Sequence, residues 1–300
     1  MSKVKIKSNR KRLFVIALIL LLIMGALGIC KALSGHESAD GNTLEVHFID
    51  VGHGDCILLK CADNAMLIDA GEDDDGTKVQ YYLQNQGVNK LDYLILTHPD
   101  KDHIGGADVI VTKFDIGKIM MSPYKKDKDP YNDLMKAIKY RNYSYTCPQV
   151  GERFDFAGGD FVILGPCKEY DDSNNSSIVL KYRFGNTSFL FSGDAEKEAE
   201  ADIVQNGLDI SADVYKVGHH GSSGSSTKAF LEKINPKYAV ISCASDDGNG
   251  HPHIKPLKRL AKRGVKLYRT DVQGTVIAYS DGNIIKWNKE PTDNWNAGVK

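Results

Sequence analysis

Cysteine is scarce and scattered in this chain, and the spacings that would make it structural are missing. Six residues, Cys30, Cys56, Cys61, Cys147, Cys167 and Cys243, include no CxxC pair, which excludes a zinc ribbon and argues against a disulfide framework. They read as small apolar core residues, with an isolated Cys56–Cys61 bridge left open. A dominant charge is also lacking, since 38 Lys and Arg face 39 Asp and Glu for a net charge of −1. Bulk electrostatics therefore do not mark a nucleic-acid binder, which needs clustered cations. Two local patches stand as candidates: Lys125, Lys126 and Lys128, and Lys255, Lys258, Arg259, Lys262 and Arg263. A solvated helix face accounts for either equally well. No short-period repeat or long low-complexity segment is visible.

The first thirty residues depart from this ordinary composition. Lys3, Lys5, Lys7, Arg10, Lys11 and Arg12 form a basic cytoplasmic segment over 1–12, ahead of an uncharged run from Leu13 to Cys30. At about 1.5 Å per residue that run is barely long enough for a bilayer. Basic residues before it predict that the remainder faces outward. A cleaved secretory signal, with Ala32-Leu33-Ser34 as the cleavage site, would make the protein secreted. The length of the apolar run and the Lys31 that follows favour an uncleaved, single-pass anchor over 13–30. Residues 31–42 read as a polar tether, and without the six basic residues of the first twelve positions the net charge falls from −1 to −7.

Beyond the tether, apolar runs alternate with turns. Leu44 to Val51, Cys56 to Cys61 and Ala65 to Ala70 predict a strand meander. Helices over Lys78 to Asn85, Asp108 to Phe114 and Asp129 to Arg141 then alternate with strands over Leu91 to Leu96 and Lys118 to Met121. A second series comes next, with strands at Phe161 to Gly165, Ser177 to Tyr182 and Ser188 to Ser192 and a Gly185-Asn186 turn. Strands at Asp213 to Val217, Tyr238 to Cys243, Lys266 to Arg269 and Gly274 to Tyr279 close it. They are interleaved with helices at Ala195 to Asn206, Thr227 to Ile234 and Pro256 to Arg263. Two halves of similar make-up predict two packed sheets with helices outside, an α/β protein of αββα sandwich type over 43–288. A flexible tail is expected over 289–300.

The chemistry concentrates after the predicted strand Leu91 to Leu96. His98, Asp100, Asp102 and His103 place two imidazoles and two carboxylates within six residues, a mixture suited to a pair of divalent cations such as Zn²⁺ or Mn²⁺. One loop cannot saturate two ions, so distant ligands are required. Asp194 ends the run Phe189-Leu190-Phe191-Ser192-Gly193 and could bridge two cations, or cap the helix that follows. His219 and His220, flanked by Gly218 and Gly221, offer at least one more imidazole. A late loop, Asp246 to His253, adds His251 and His253.

Together these residues resemble the metallo-β-lactamase superfamily, and within it the hydrolase domain of the competence protein ComEC, a DNA-uptake channel. The resemblance rests on Phe48-Ile49-Asp50-Val51-Gly52-His53-Gly54-Asp55, Leu67-Ile68-Asp69-Ala70-Gly71, His98-Pro99-Asp100-Lys101-Asp102-His103, Asn174-Asn175-Ser176-Ser177, Phe191-Ser192-Gly193-Asp194 and His219-His220-Gly221-Ser222. It covers roughly residues 43–285. The resemblance implies that His98 and Asp100 hold one metal, that Asp102 and His103 hold the other, and that Asp194 bridges them. One of His219 and His220 would complete the second site. Asp50, Asp55 and Asp69 would support the ligand loops by hydrogen bonds. Asn175, Ser222, His251 and His253 would meet substrate, with Asp102, His220 and His253 taking part in catalysis. Two departures matter: Asp100 stands where the wider superfamily has a histidine, and no isolated histidine lies between 104 and 218.

The ligand residues and the resemblance imply a metal-dependent hydrolase using two divalent ions, Zn or Mn, most naturally a phosphodiesterase or nuclease. Its substrate would be a phosphodiester such as single-stranded DNA, and its membrane contact residues 13–30. A single apolar segment cannot form a translocation pore, so envelope phosphoesters such as choline-phosphate are alternative substrates. Hydrolysis of a β-lactam or lactone is a second enzymatic reading, and a noncatalytic tethered binding module a third.

Overall fold

The computed structural model describes residues 43–246 and 248–299. The expected basic segment, the anchor or signal over 13–30 and the tether over 31–42 lie outside the described residues. Among the described residues, no helix is long and apolar enough to cross a membrane.

Fifteen strands succeed one another along the described chain: β1 (Leu44–Phe48), β2 (Ile57–Cys61), β3 (Asn64–Ile68), β4 (Lys90–Leu96), β5 (Asp115–Met121), β6 (Tyr145–Thr146), β7 (Arg153–Phe156) and β8 (Gly159–Gly165). They continue with β9 (Val179–Phe184), β10 (Thr187–Phe191), β11 (Val214–Lys216), β12 (Tyr238–Ile241), β13 (Lys266–Arg269), β14 (Val276–Ser280) and β15 (Ile285–Trp287). One sheet runs β15-β14-β1-β2-β3-β4-β5-β6, the other β13-β12-β11-β10-β9-β8-β7. Each sheet is antiparallel in one half and turns parallel at β3-β4 or at β10-β11. The two halves of the sequence do not map cleanly onto the two sheets, because β14 and β15 return to pair with β1.

Alternation along the strands builds three apolar layers. In β2, Ile57, Leu59 and Cys61 face the second sheet, where Phe161, Ile163, Leu180, Phe189 and Phe191 meet them. Leu58 and Cys56 face outward beneath helices Gly76–Asn85, Ala107–Lys113 and Asp129–Tyr140. On the far side Leu190, Tyr215 and Val217 pack under helices Lys197–Asn206, Lys228–Ile234 and Ile254–Lys262. Strands apolar on both faces are what a sheet covered by helices requires, and the order of layers is the expected αββα sandwich. All five described cysteines are free; Cys56 and Cys61 point to opposite faces of one sheet and cannot bridge.

Local chemistry explains the element ends. Pro130 lies in the first turn of the helix Asp129–Tyr140, where a missing N–H is harmless, and Thr227 Oγ1 accepts the Phe230 N–H at the head of Lys228–Ile234. The second predicted strand of the later series begins at Val179 rather than Ser177, because the Ser176 and Ser177 N–H groups close turns onto Ser173 O and Asn174 O. The ligand loop contains a helical turn, Lys101–Ile104, that the sequence pattern does not announce. The short strands β6, β7 and β15 are also unannounced.

The stretch after 289, expected as a flexible tail, is held to the domain. Thr292 N donates to Leu267 O at 2.8 Å, Arg269 Nη1 donates to the carbonyls of Asn294 and Asn296, and Gly298 N donates to Pro252 O at 3.0 Å. Trp295 packs against the outer apolar layer of the second sheet.

Candidate metal centre

Four segments that carry the imidazoles and acids leave the carboxyl ends of central strands. Asp69 comes after β3, His98 after β4, Asp194 after β10 and His219 after β11. Parallel strands side by side send these turns to one edge of the sandwich, the usual place for a site in an open α/β sheet. Close backbone approach holds the loops together. A Cβ on Gly54, whose φ is +133°, would overlap Asp102 O, so only glycine lets the 52–55 loop reach the ligand loop. There Asp55 N donates to Asp102 O at 3.1 Å.

At the centre, Asp102, His103, Asp194 and His220 bring one donor atom each to within 4.8 Å of one another. His103 Nε2 lies 3.2 Å from Asp194 Oδ1 and 3.3 Å from His220 Nε2. His220 Nε2 lies 3.3 Å from Asp102 Oδ2 and 3.6 Å from Asp194 Oδ2. Two more imidazoles converge on Asp194 Oδ2, His98 Nε2 at 3.8 Å and His219 Nε2 at 3.6 Å. The Asp194 carboxylate thus has imidazoles on both of its oxygens. Either of the paired histidines reaches the cluster, with His220 buried in it and His219 on its open side.

The opposite ring nitrogens settle what the inner ones present. His103 Nδ1 is 2.7 Å from Asp69 Oδ2, and Asp69 also accepts the Thr97 N–H and hydroxyl, each at 2.7 Å. With its proton given to Asp69, Thr97 Oγ1 accepts from His98 Nδ1 at 3.1 Å. His220 Nδ1 donates to Ser242 O at 3.0 Å, and His219 Nδ1 donates to Glu196 Oε1 at 3.0 Å. Each imidazole is anchored through Nδ1–H and turns its Nε2 lone pair inward, the usual supporting arrangement of metal-bound histidine.

Two lone pairs, on His103 and His220, would repel at 3.3 Å, so either a proton or a cation stands between them. His98 Nε2 is buried and has no hydrogen-bond partner among the described residues. The donor set therefore fits a divalent cation site of mixed nitrogen and oxygen character. The charges agree. Burial opposes ionisation of Asp194, but His103, His220 and His219 hold its carboxyl well below the ordinary carboxylate range. Burial likewise opposes Asp102, and the neighbouring imidazoles of His220 and His53 outweigh it, so it too stays ionised. Without a cation, Asp194 and Asp69 outweigh burial and raise the His103 pKa well above the usual value, so a metal ion entering the cluster takes the place of a proton on His103 Nε2. His98 goes the other way, lowered by burial and by the neighbouring charge of His103.

Not every expected site residue takes the expected place. Asp100 is absent from the central cluster: its Oδ1 accepts Lys126 Nζ at 2.8 Å and Ser173 Oγ at 2.5 Å. Asn175 is committed to structure, its Oδ1 accepting the Glu196 and Ala199 N–H groups and its Nδ2 donating to Asp172; its neighbour Asn174 lines the cavity instead. Ser222 Oγ closes a turn onto Gly224 N. His253 ties its loop to the one after the histidine pair, Nδ1 accepting Ser223 N and Nε2 facing Asn249 O, and is not in the cavity wall. Asp50 caps its own turn at Gly52 N. Asp55 does lie behind the cluster, 3.6 Å from His220 Nδ1, and His251 is in the cavity wall.

Three participants escape a reading of the sequence. His53 Nε2 lies 3.2 Å from Asp102 Oδ2, with its ring 4.7 Å from that of His220; its glycine neighbours were the available signal. Glu196 backs His219, and fully buried Lys216 pairs with Asp55, a lysine hidden in an otherwise apolar strand. A cavity of about 540 Å³ opens over the cluster, walled by His53, His219, His251 and Asn174 and rimmed by Lys101, Lys126 and Lys128.

An αββα sandwich with a histidine and aspartate cluster fit for divalent metal at its strand ends defines a metallo-β-lactamase-type protein. The family model described as the metallo-beta-lactamase superfamily matches residues 49–245, and the chain belongs to that superfamily. Curated relatives match over most of the chain. ComE operon protein 3 of Bacillus subtilis (strain 168) is 31% identical over 251 residues, covering 77% of this chain and 32% of its own length. Competence protein ComA of Neisseria gonorrhoeae is 30% identical, over 80% and 33%. Recombination protein 2 of Haemophilus influenzae is 30% identical, over 84% and 31%. The chain thus spans about a third of the length of these relatives. Among solved structures, Igni18, a metallo hydrolase from Ignicoccus hospitalis, superposes with a TM-score of 0.50 at 14% identity, over 78% of this chain and 98% of that one. That likeness supports the fold.

Proposed function

We propose that this chain is a metal-dependent phosphodiesterase, tethered to the membrane through residues 13–30 with its hydrolase domain outside the cytoplasm and nucleic acid as its favoured substrate. The observation that carries the reading is the pairing of a cation-binding floor with an ammonium rim. Lys101 and Lys126 are steadied by Glu72 and Asp100 at 3.0 and 2.8 Å; each ammonium has three donors, so capacity is left for a phosphoryl oxygen. The competence-type relatives favour the same substrate class.

Bound divalent cations supply Lewis acidity and lower the pKa of water toward neutrality. The chain's own groups do the rest. Asp194 and Asp102 hold negative charge on the cavity floor, and Asp102, within reach of His53 and His220, is placed to orient an attacking water. Lys126 and Lys128 draw the diester to the mouth, and Asn174, next to the Ser173 that shares Asp100 with Lys126, offers a polar contact in the cavity wall. His251, beside His53 and His219 in the cavity lining, is placed to give a proton to the departing oxygen.

Assay of the full chain on single-stranded DNA and on bis-nitrophenyl phosphate, with Mn²⁺ or Zn²⁺, tests the proposal. Metal-dependent cleavage lost in Asp194→Ala is the expected result. Absence of cleavage of any phosphodiester, or turnover of nitrocefin in its place, overturns it.

A further inference from the structure

Behind the cluster lies a second acidic group, Asp55, Asp69 and His103, whose donor atoms are also within 4.8 Å of one another. Lys216 supplies a cation there. Its Nζ is 2.9 Å from Asp55 Oδ1 and donates to Val217 O at 2.9 Å, with neither Lys216 nor Asp55 open to solvent. The pleat puts it there. Val214 joins the layer between the sheets, and Tyr215 and Val217 join the outer layer, so Lys216 projects inward with Val214. An ammonium buried at such a position is expensive unless paired, and a methionine would fill the same volume without that penalty.

The neighbouring geometry shows what the ion pair accomplishes. His220 Nδ1 has two acceptors at hand, Ser242 O at 3.0 Å and Asp55 Oδ1 at 3.6 Å. The same Asp55 oxygen that could capture the imidazole is the one Lys216 occupies. We propose that Lys216 is a positioning residue of the metal centre, holding Asp55 off His220 so that Nδ1–H stays on the Ser242 carbonyl and Nε2 stays aimed at Asp102 and Asp194. The turn it steadies is sensitive, because His219 and His220 both have positive φ, 49° and 50°, a region costly for residues with a Cβ. His103 is backed by a carboxylate and His220 by a carbonyl, and Lys216 preserves that difference.

The inference rests on reading the cluster as a metal centre and does not depend on the phosphodiester substrate, so it is tested on metal binding in the full chain. Zn²⁺ affinity by chelator competition and the visible spectrum of the Co²⁺-loaded protein are compared for wild type, Lys216→Met, and Lys216→Met combined with Asp55→Asn. Loss of Lys216 alone is expected to weaken Zn²⁺ binding about 10–100-fold, as supporting partners of metal-bound histidine do, with a shifted Co²⁺ spectrum. Removing the competing carboxylate as well is expected to restore the wild-type spectrum and bring affinity back to within about threefold of wild type, the recovery itself marking positioning. A folded Lys216→Met protein with wild-type affinity and spectrum overturns the proposal. If that variant does not fold, the double variant decides: wild-type binding supports the proposal, and weak binding or an altered spectrum overturns it. Failure of the wild type to bind metal would instead overturn the metal-centre reading.

Discussion

Asp69 shows how much one side chain organises. It is fully buried, adopts a φ of 58°, and accepts three hydrogen bonds, from the Thr97 N–H, the Thr97 hydroxyl and His103 Nδ1. An amide in its place sets one NH2 against a donor whichever way it turns: against the Thr97 N–H, or against His103 Nδ1–H. The second choice moves the ring proton to Nε2 and abolishes a ligand. Asp69→Asn is therefore expected to weaken Zn²⁺ affinity about 10–100-fold while the chain stays folded, as measured by chelator competition. Unchanged affinity would remove Asp69 from the centre. At this scale the sequence was informative about identity and poor on employment. Asp102, His103, Asp194 and the histidine pair were legible as a group because their segments end apolar runs. Asn175, Ser222 and His253 looked equally polar and equally placed, yet their donors and acceptors are consumed by neighbouring backbone and loop groups.

At the scale of elements, the helix Lys197–Asn206 does two jobs. Glu196, just before it, backs His219, and Glu200 inside it reaches the chain ahead of the next helix. Glu200 is fully buried, its oxygens accepting the N–H groups of Ser226 and Thr227. Burial pushes its carboxyl up to about 7 from 4.5, against the pull of those bonds. A folded-state pKa above the unfolded one means that the native state keeps a proton which the unfolded state has lost. Its contribution to stability is then full below the unfolded value and is lost as pH rises through 7. Relative to Glu200→Gln, the wild-type protein is expected to lose on the order of 3 kcal/mol between pH 4.5 and 8. Urea unfolding of both proteins across that range measures it; stability curves that stay parallel contradict the assignment. Elements themselves were well marked where an apolar run is bounded by polar turns, as in β2 and β10. They were shifted at Val179, where serine side chains and turns compete with the strand, and invisible at β6 and β15, which are too short to carry a period.

Across the whole molecule, the centre joins the two sheets. Asp69, His98 and Asp102 come from the first sheet's side, Asp194 and His220 from the second, and a cation held by both sides would link halves that otherwise meet through the apolar layer. Metal should accordingly stabilise the fold. At free Zn²⁺ about a thousandfold above the dissociation constant the gain is about 4 kcal/mol, and for a domain of this size that raises Tm by roughly 8–16 °C. Thermal unfolding with Zn²⁺ and with chelator gives the difference directly; identical midpoints would mean that the cluster binds no structural metal.

The linear order of residues was enough to determine the layered architecture and the chemical character of the centre, because hydrophobic alternation and strand-end polar turns are local properties of a chain. Which lone pairs face one another was decided only by the tertiary structure. His103 meets His220 across 117 positions and Asp69 across 34, while Asp100, two residues from Asp102, turns to Lys126 instead. A ring's tautomer and a carboxylate's partner depend on atoms brought close in space, and spacing along the chain does not encode that proximity.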